Sequence, residues 1–147
     1  MIYLLFIGYV IFLAVVASQF GMVLLIAVMS LLLMTVASIS VVTLVASRFF
    51  SHPLGLLESI KCAMLSSICL HVVFKIYTQV SALANLIAGR LSFIPLAILV
   101  IFALFIGHAQ AADTTGKQAF VLALVNIIVF PFISKVLGYG ALQVFFS

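Results

Sequence analysis

The chain opens on a long apolar stretch, with no charged side chain among residues 1–47. A continuous helix of that length would be about 70 Å long, more than twice the roughly 30 Å hydrocarbon thickness of a bilayer. The chain must therefore turn, and the cluster Ser18-Gln19-Phe20-Gly21 holds the polar amide and the glycine that favour a turn. This pattern predicts two helical spans, over residues 2–17 and 22–46.

Three more apolar stretches follow, separated by polar segments that contain proline, glycine or charged side chains. The predicted spans are residues 62–89, 93–107 and 119–133, with a polar loop over 108–118 and with Pro131 expected to kink or end the fifth helix. The fold class that we predict is all-α: a polytopic transmembrane helix bundle of about five spans, forming a single domain over residues 1–147. Four spans are the alternative, with the first hairpin or the third segment lying in the membrane interface.

The composition also indicates a membrane protein, because 68% of the residues are apolar and 5% are charged. A soluble domain is about half apolar and about a quarter charged, so this chain lacks the polar surface that a water-facing globule needs. The net charge of +4 comes from single Lys and Arg residues between apolar runs. We interpret them as interface anchors rather than as a nucleic-acid surface, and the lipid bilayer is the first partner that we predict.

The distribution of basic residues predicts the orientation of the chain in the membrane. The five-span topology places Arg48, Lys61 and Lys117 on one side and Arg90 and Lys135 on the other. The positive-inside rule favours the first side, and with it the N-terminus, as cytoplasmic. The short loops favour a bacterial inner (plasma) membrane. The run Ala109-Gln110-Ala111 has the shape of a signal-peptidase site, but the predicted cytoplasmic position of this loop argues against processing.

One face of the third span is polar. Its members, which are polar or small and lie three or four positions apart, are Ser67, His71, Lys75, Thr78, Ala82, Asn85 and Gly89. This spacing places them on one side of an α-helix. Lys75 is near the middle of the span, where a charged side chain costs on the order of 3 kcal/mol or more and therefore needs a cavity, a partner acid or backbone carbonyls.

Three interpretations of this stripe compete. In the first, another subunit packs against it and forms hydrogen bonds across the interface. In the second, His71 and Lys75 line a path for a proton, an anion or a polar solute. In the third, the segment lies in the membrane plane with the stripe facing water, although such helices usually carry a broader charged face.

The other polar residues give weaker predictions about contacts and cofactors. Asn126 in the fifth span is expected to donate a hydrogen bond to another helix. Cys62 and Cys69 lie about 10 Å apart along one helix, too far for a disulfide, and no cluster of further ligands completes a metal site. A haem held by His71 and His108 is disfavoured, because the topology places His71 about 12 Å deeper than His108. We predict no cofactor and no metal.

The chain has two acidic residues and no recognised catalytic motif, so we do not predict an enzyme that acts alone. Our leading prediction is a structural or accessory subunit of a larger membrane complex. It docks through the polar face of the third helix onto other membrane subunits or copies of itself. The alternative is a small transporter or channel component that moves a proton, an anion or a polar solute past His71 and Lys75.

Overall fold

The computed structural model describes residues 1–87, 93–112 and 114–146. All regular secondary structure in these residues is helical, which confirms the all-α class. The helices, in chain order, are α1 (Ile2–Ser18), α2 (Met22–Ser47), α3 (Leu56–Ile87), α4 (Phe93–Ala111) and α5 (Gly116–Phe146).

The turn between α1 and α2 lies where the sequence predicts it. α1 ends at Ser18, and α2 begins at Met22. Gly21, just before α2, adopts a φ of 106°. This left-handed conformation suits glycine because glycine has no Cβ, so the turn depends on that residue type.

The connection between α2 and α3 is held by polar contacts. At the start of α3 the Glu58 carboxylate accepts a hydrogen bond from the Gly55 backbone N–H at 2.8 Å, as in a capping box. The side-chain amide of Gln118 donates to the His52 carbonyl oxygen at 3.2 Å. The start of α5 therefore lies beside this connection, at the same end of the bundle.

The core is concentrated at this end of the bundle, which we call the packed end. The buried residues of α2 lie between positions 38 and 47, and those of the described part of α3 lie between positions 59 and 67. Most buried side chains here are small or polar. They include Ser38, Ser40, Thr43, Ala46, Ser47, Ser59, Cys62, Ala63, Ser66, Ser67, Ala103, His108, Ala119, Ala123 and Asn126.

α4 is longer than the sequence predicts. It continues to Ala111, and α5 begins at Gly116, so the connection is shorter than the polar loop expected over 108–118. His108 belongs to the last turn of α4. Its ring forms a 2.7 Å hydrogen bond with the Leu104 carbonyl oxygen, one turn earlier in the same helix. The expectation that His108 lies in a surface loop is therefore wrong.

α5 also exceeds its predicted length. It continues past Pro131 and ends at Phe146, so of the two outcomes predicted for Pro131, a kink or an end of the helix, the end is wrong. A proline removes one backbone N–H from the helix. The helix can continue because its 31 residues supply many other backbone hydrogen bonds.

Two helices of the described structure are long and apolar enough to cross a bilayer, judged by length and composition. They are Met22–Ser47 and the part of α3 from Leu56 to Val80. The apolar helices Ile2–Ser18, Leu96–Ala111 and Gly116–Val129 are shorter. The crossing of a membrane by all five helices stays a prediction.

Candidate functional site

Ser67, the first residue of the polar stripe on α3, belongs to the core. It is 4% exposed, and its hydroxyl donates to the Ala63 carbonyl oxygen at 2.7 Å. Ser59 and Ser66, which are eight and one positions away from it, are also buried inside the bundle. Ser67 is therefore covered by this chain itself.

His71, Lys75 and Thr78 lie further along the helix and are exposed; we call these three the exposed stripe. The His71 ring forms a T-shaped contact with Tyr9 of α1, with centroids 5.6 Å apart. The Thr78 hydroxyl donates to the Lys75 carbonyl oxygen at 2.9 Å. Asn85, also predicted for the stripe, lies outside the described side chains. Among the stripe residues whose side chains the structure describes, one is buried and three are exposed.

The stretch of α3 around the exposed stripe has little cover from the rest of the described chain. Between residues 71 and 80, which we call the open segment, no side chain is buried. Its large apolar side chains are about half exposed; they include Val72, Phe74, Ile76 and Val80. The open segment therefore presents a polar stripe with apolar surface around it.

A second group of polar side chains joins three helices inside the packed end. Thr43 of α2, His108 of α4 and Asn126 of α5 are each 0% exposed. Thr43 Oγ1 lies 2.9 Å from His108 Nε2. Asn126 Nδ2 lies 3.1 Å from Thr43 Oγ1 and 3.4 Å from His108 Nε2. We call these residues the Thr–His–Asn cluster.

The backbone around the cluster determines which atoms donate. His108 Nδ1 faces the Leu104 carbonyl oxygen, which can only accept, so Nδ1 carries a hydrogen. Asn126 Nδ2 faces the Leu122 carbonyl oxygen at 2.9 Å, which fixes the orientation of the amide. With a neutral His108 ring, the Thr43 hydroxyl donates to His108 Nε2 and accepts from Asn126 Nδ2. The cluster is then a directed chain of hydrogen bonds from α5 through α2 to α4.

A hydroxyl bonded to a histidine ring is also the first part of a nucleophilic triad. In this chain the second ring nitrogen of His108 bonds a backbone carbonyl and not a carboxylate. All three residues are fully buried, so no substrate reaches the Thr43 hydroxyl. We therefore interpret the cluster as a structural link between α2, α4 and α5.

One acceptor atom of the Thr–His–Asn cluster has no hydrogen-bond donor in the described structure. Asn126 Oδ1 is buried and has no hydrogen-bond donor among the described residues, and the same holds for the hydroxyls of Ser38 and Ser66. A buried polar atom without a hydrogen bond costs stability, so Asn126 Oδ1 offsets part of what the hydrogen bonds of the cluster contribute.

Sequence reasoning named Asn126 as an interhelical donor but missed its partners. It placed His108 in a loop and gave Thr43 no role. A signal for Thr43 was present, because Ser40, Thr43 and Ser47 recur three and four positions apart on one face of α2.

The described residues contain no group of three or more His, Cys, Asp or Glu side chains that could hold a metal ion. The two histidines considered for a haem lie in different surroundings. His71 is exposed, whereas both ring nitrogens of His108 already form hydrogen bonds, one of which an iron would have to break. Comparisons with protein-family models, curated proteins and solved structures find no match to this chain.

Proposed function

We propose that this chain is an integral protein of a bacterial inner membrane and a structural or accessory subunit of a larger membrane complex. Its five helices cross the bilayer, and the exposed stripe on α3 is its docking surface. The observation that carries the proposal is the exposure of Lys75 within the long apolar part of α3 from Leu56 to Val80.

The distribution of side-chain sizes supports a lipid environment. The packed end contains mainly small and polar residues, and many large apolar side chains face outward, such as Leu4, Phe12, Val23, Leu31, Leu33 and Ile98. In water, large apolar side chains are the ones that folding buries. In lipid they gain nothing by leaving the surface, and small residues that let helices approach closely occupy the interior.

Helix lengths support five crossings. α1, with 17 residues, is about 26 Å long, and α4, with 19 residues, is about 28 Å long. Both lengths are close to the roughly 30 Å of bilayer hydrocarbon. The other helices have 26, 32 and 31 residues and exceed it.

Lys75 supports a partner at the open segment. An ammonium in hydrocarbon costs on the order of 3 kcal/mol or more unless it is paired. Glu58 lies about 25 Å away along the same helix and caps Gly55, and Asp113 is outside the described residues. The partner that this chemistry fits is a different membrane chain with a carboxylate or carbonyl oxygen at the depth of Lys75, where His71 can add a hydrogen bond.

A transporter or channel component is the second candidate, favoured by two exposed ionisable side chains one helical turn apart. His71 and Lys75 lie on the outside of the described bundle. A path lined by them therefore needs another chain as its second wall. Both candidates require a neighbour at α3, and they differ in whether solutes move along the interface.

Purification in mild detergent, with mass-spectrometric identification of every co-purifying chain, tests the proposal. We expect the wild type to bring down a fixed set of different membrane proteins. Lys75→Leu should lower their recovery about tenfold or more, the equivalent of about 1.4 kcal/mol. Lys75→Arg, which keeps the charge, should retain most of it. Lys117→Leu, a matched change at an exposed lysine in the first turn of α5, should have no effect.

The result also separates the two candidates. Purification of this chain alone, together with solute transport by the reconstituted protein that Lys75→Leu abolishes, would favour the transporter. If Lys75→Leu changes neither assembly nor transport, both candidates are wrong.

A further inference from the structure

Two adjoining cavities lie at the packed end, between α1, α3 and α4. One, of about 480 Å³, is polar and is lined by Glu58, Lys61, Ala109, Gln110, Ala111 and Ala112. The other, of about 440 Å³, is mainly apolar and is lined by Met1, Ile2, Tyr3, Leu5, Lys61, Leu65, Gln110 and Ala111. Three residues line both cavities, so a single amphipathic molecule can occupy the two together.

Lys61 stands at the junction of the cavities. Its Nζ lies 5.8 Å from the centre of the Tyr3 ring, within the range of a cation–π contact. Glu58 is one turn earlier on the same face of α3 and lines the polar cavity as well. Among the described residues, the lining of the polar cavity thus presents one cation, one anion and the amide of Gln110.

We propose that these cavities hold one phospholipid of the bilayer with a phosphoethanolamine headgroup. The phosphodiester oxygens accept hydrogen bonds from Lys61 Nζ, and the primary ammonium of the headgroup donates to the Glu58 carboxylate. An acyl chain lies in the apolar cavity beside α1. The proposal rests on the membrane location within the proposed function, but not on docking at the open segment of α3.

The pair of charges determines the headgroup class. A phosphoglycerol headgroup offers Lys61 the same phosphodiester anion, but its end is neutral and gives Glu58 no positive charge. A phosphocholine headgroup carries a cation, but its quaternary nitrogen has no N–H to donate. Phosphoethanolamine offers both an acceptor for Lys61 and a donor for Glu58.

Native mass spectrometry of the delipidated full chain in detergent tests the site. Phosphatidylethanolamine, phosphatidylglycerol and phosphatidylcholine with identical acyl chains are added back at equal concentration, and the bound lipid is counted. We expect one phosphatidylethanolamine per chain, retained at least about fivefold more than either other lipid.

Four variants locate the binding. Lys61→Gln and Glu58→Gln should each lower phosphatidylethanolamine retention about fivefold, since each removes one charged partner. Lys61→Arg should keep it. The glutamine of Glu58→Gln can still cap Gly55, so the fold is preserved. Lys117→Gln, at an exposed lysine of the same end, should leave retention unchanged.

Three results would overturn the proposal. Equal retention of the three lipids, or equal loss in Lys61→Gln and Lys117→Gln, would show that no specific site exists. Preferential retention of phosphatidylglycerol would show that the headgroup assignment is wrong. Failure of the docking proposal is read separately, as unchanged recovery of the co-purifying chains in Lys75→Leu, and failure of the membrane location as recovery of the chain without detergent.

Discussion

α3 is one continuous helix that passes through two different surroundings. From residue 56 to residue 70, the packed segment, the buried positions are Ser59, Cys62, Ala63, Ser66 and Ser67. In the open segment, from 71 to 80, no residue is buried. Small side chains let neighbouring helices approach closely, and larger ones keep them apart. The comparison indicates that side-chain size, more than hydrophobicity, determines which part of α3 this chain covers by itself.

Ser66 of α3 and Gly107 of α4 lie very close to each other in the packed segment. A Cβ added to Gly107 would lie 2.7 Å from Ser66 Cα and 2.8 Å from Ser66 N, and it would also collide with the Ser66 hydroxyl. Ser66 Cα and Ser66 N belong to the backbone of α3, so a change of side-chain rotamer cannot relieve these two contacts.

The largest effect is therefore expected for Gly107→Ala. The added methyl group must push α3 and α4 apart, which should lower the free energy of unfolding by about 2 kcal/mol. Unfolding of the purified chain by titration with SDS measures the loss.

Gly8→Ala in α1 is the matched control, because a Cβ at Gly8 meets nothing within 4 Å. That variant should be as stable as the wild type or gain up to about 1 kcal/mol from helix propensity. If both variants unfold at the wild-type midpoint, the close packing of α3 on α4 is wrong.

An intermediate effect is expected for Thr43→Val in the Thr–His–Asn cluster. Valine keeps the shape of threonine but removes the donor to His108 Nε2 and the acceptor for Asn126 Nδ2. Buried hydrogen bonds of this kind contribute about 1 kcal/mol, which is the expected loss in the same SDS titration.

Thr35→Val, on the same helix outside the packed end, is the control for this change. The Thr35 hydroxyl donates to the Leu31 carbonyl oxygen of its own helix, so its loss should alter stability by less than about 0.5 kcal/mol. Equal losses in the two variants would mean that the cluster contributes no more than an ordinary helical threonine.

The two segments also show how far the sequence predicts this structure. The turn at Gly21 is predictable because the charge-free run before Arg48 is too long for one crossing. The face that carries Ser67, His71 and Lys75 is predictable from spacing alone. Spacing does not reveal where along that face the neighbouring helices stop covering it, since that depends on residues distant in sequence.

The pairing of Thr43 with His108 in the Thr–His–Asn cluster was beyond prediction for a related reason. His108 stands next to Ala109 and Gln110, and this local sequence is typical of a loop. Its position inside the bundle depends on Thr43, which is 65 residues earlier in the chain. Only the packing of α2 against α4 and α5 brings the two together, and a single sequence does not encode that pairing in any local pattern.

The smallest effect is expected for the two free cysteines of the packed segment, one inside it and one next to its boundary with the open segment. Cys62, in the packed segment, is 0% exposed, and Cys69, at the end of that segment, is half-buried. In the single-cysteine variants Cys62→Ala and Cys69→Ala, N-ethylmaleimide should label Cys69 about tenfold faster than Cys62, because a buried thiol reacts only when the helices open. Cys69→Ala itself should change stability by less than about 0.5 kcal/mol. Equal labelling rates would mean that the packed segment opens as readily as its boundary. Closer packing would then not distinguish the packed segment of α3 from the open segment.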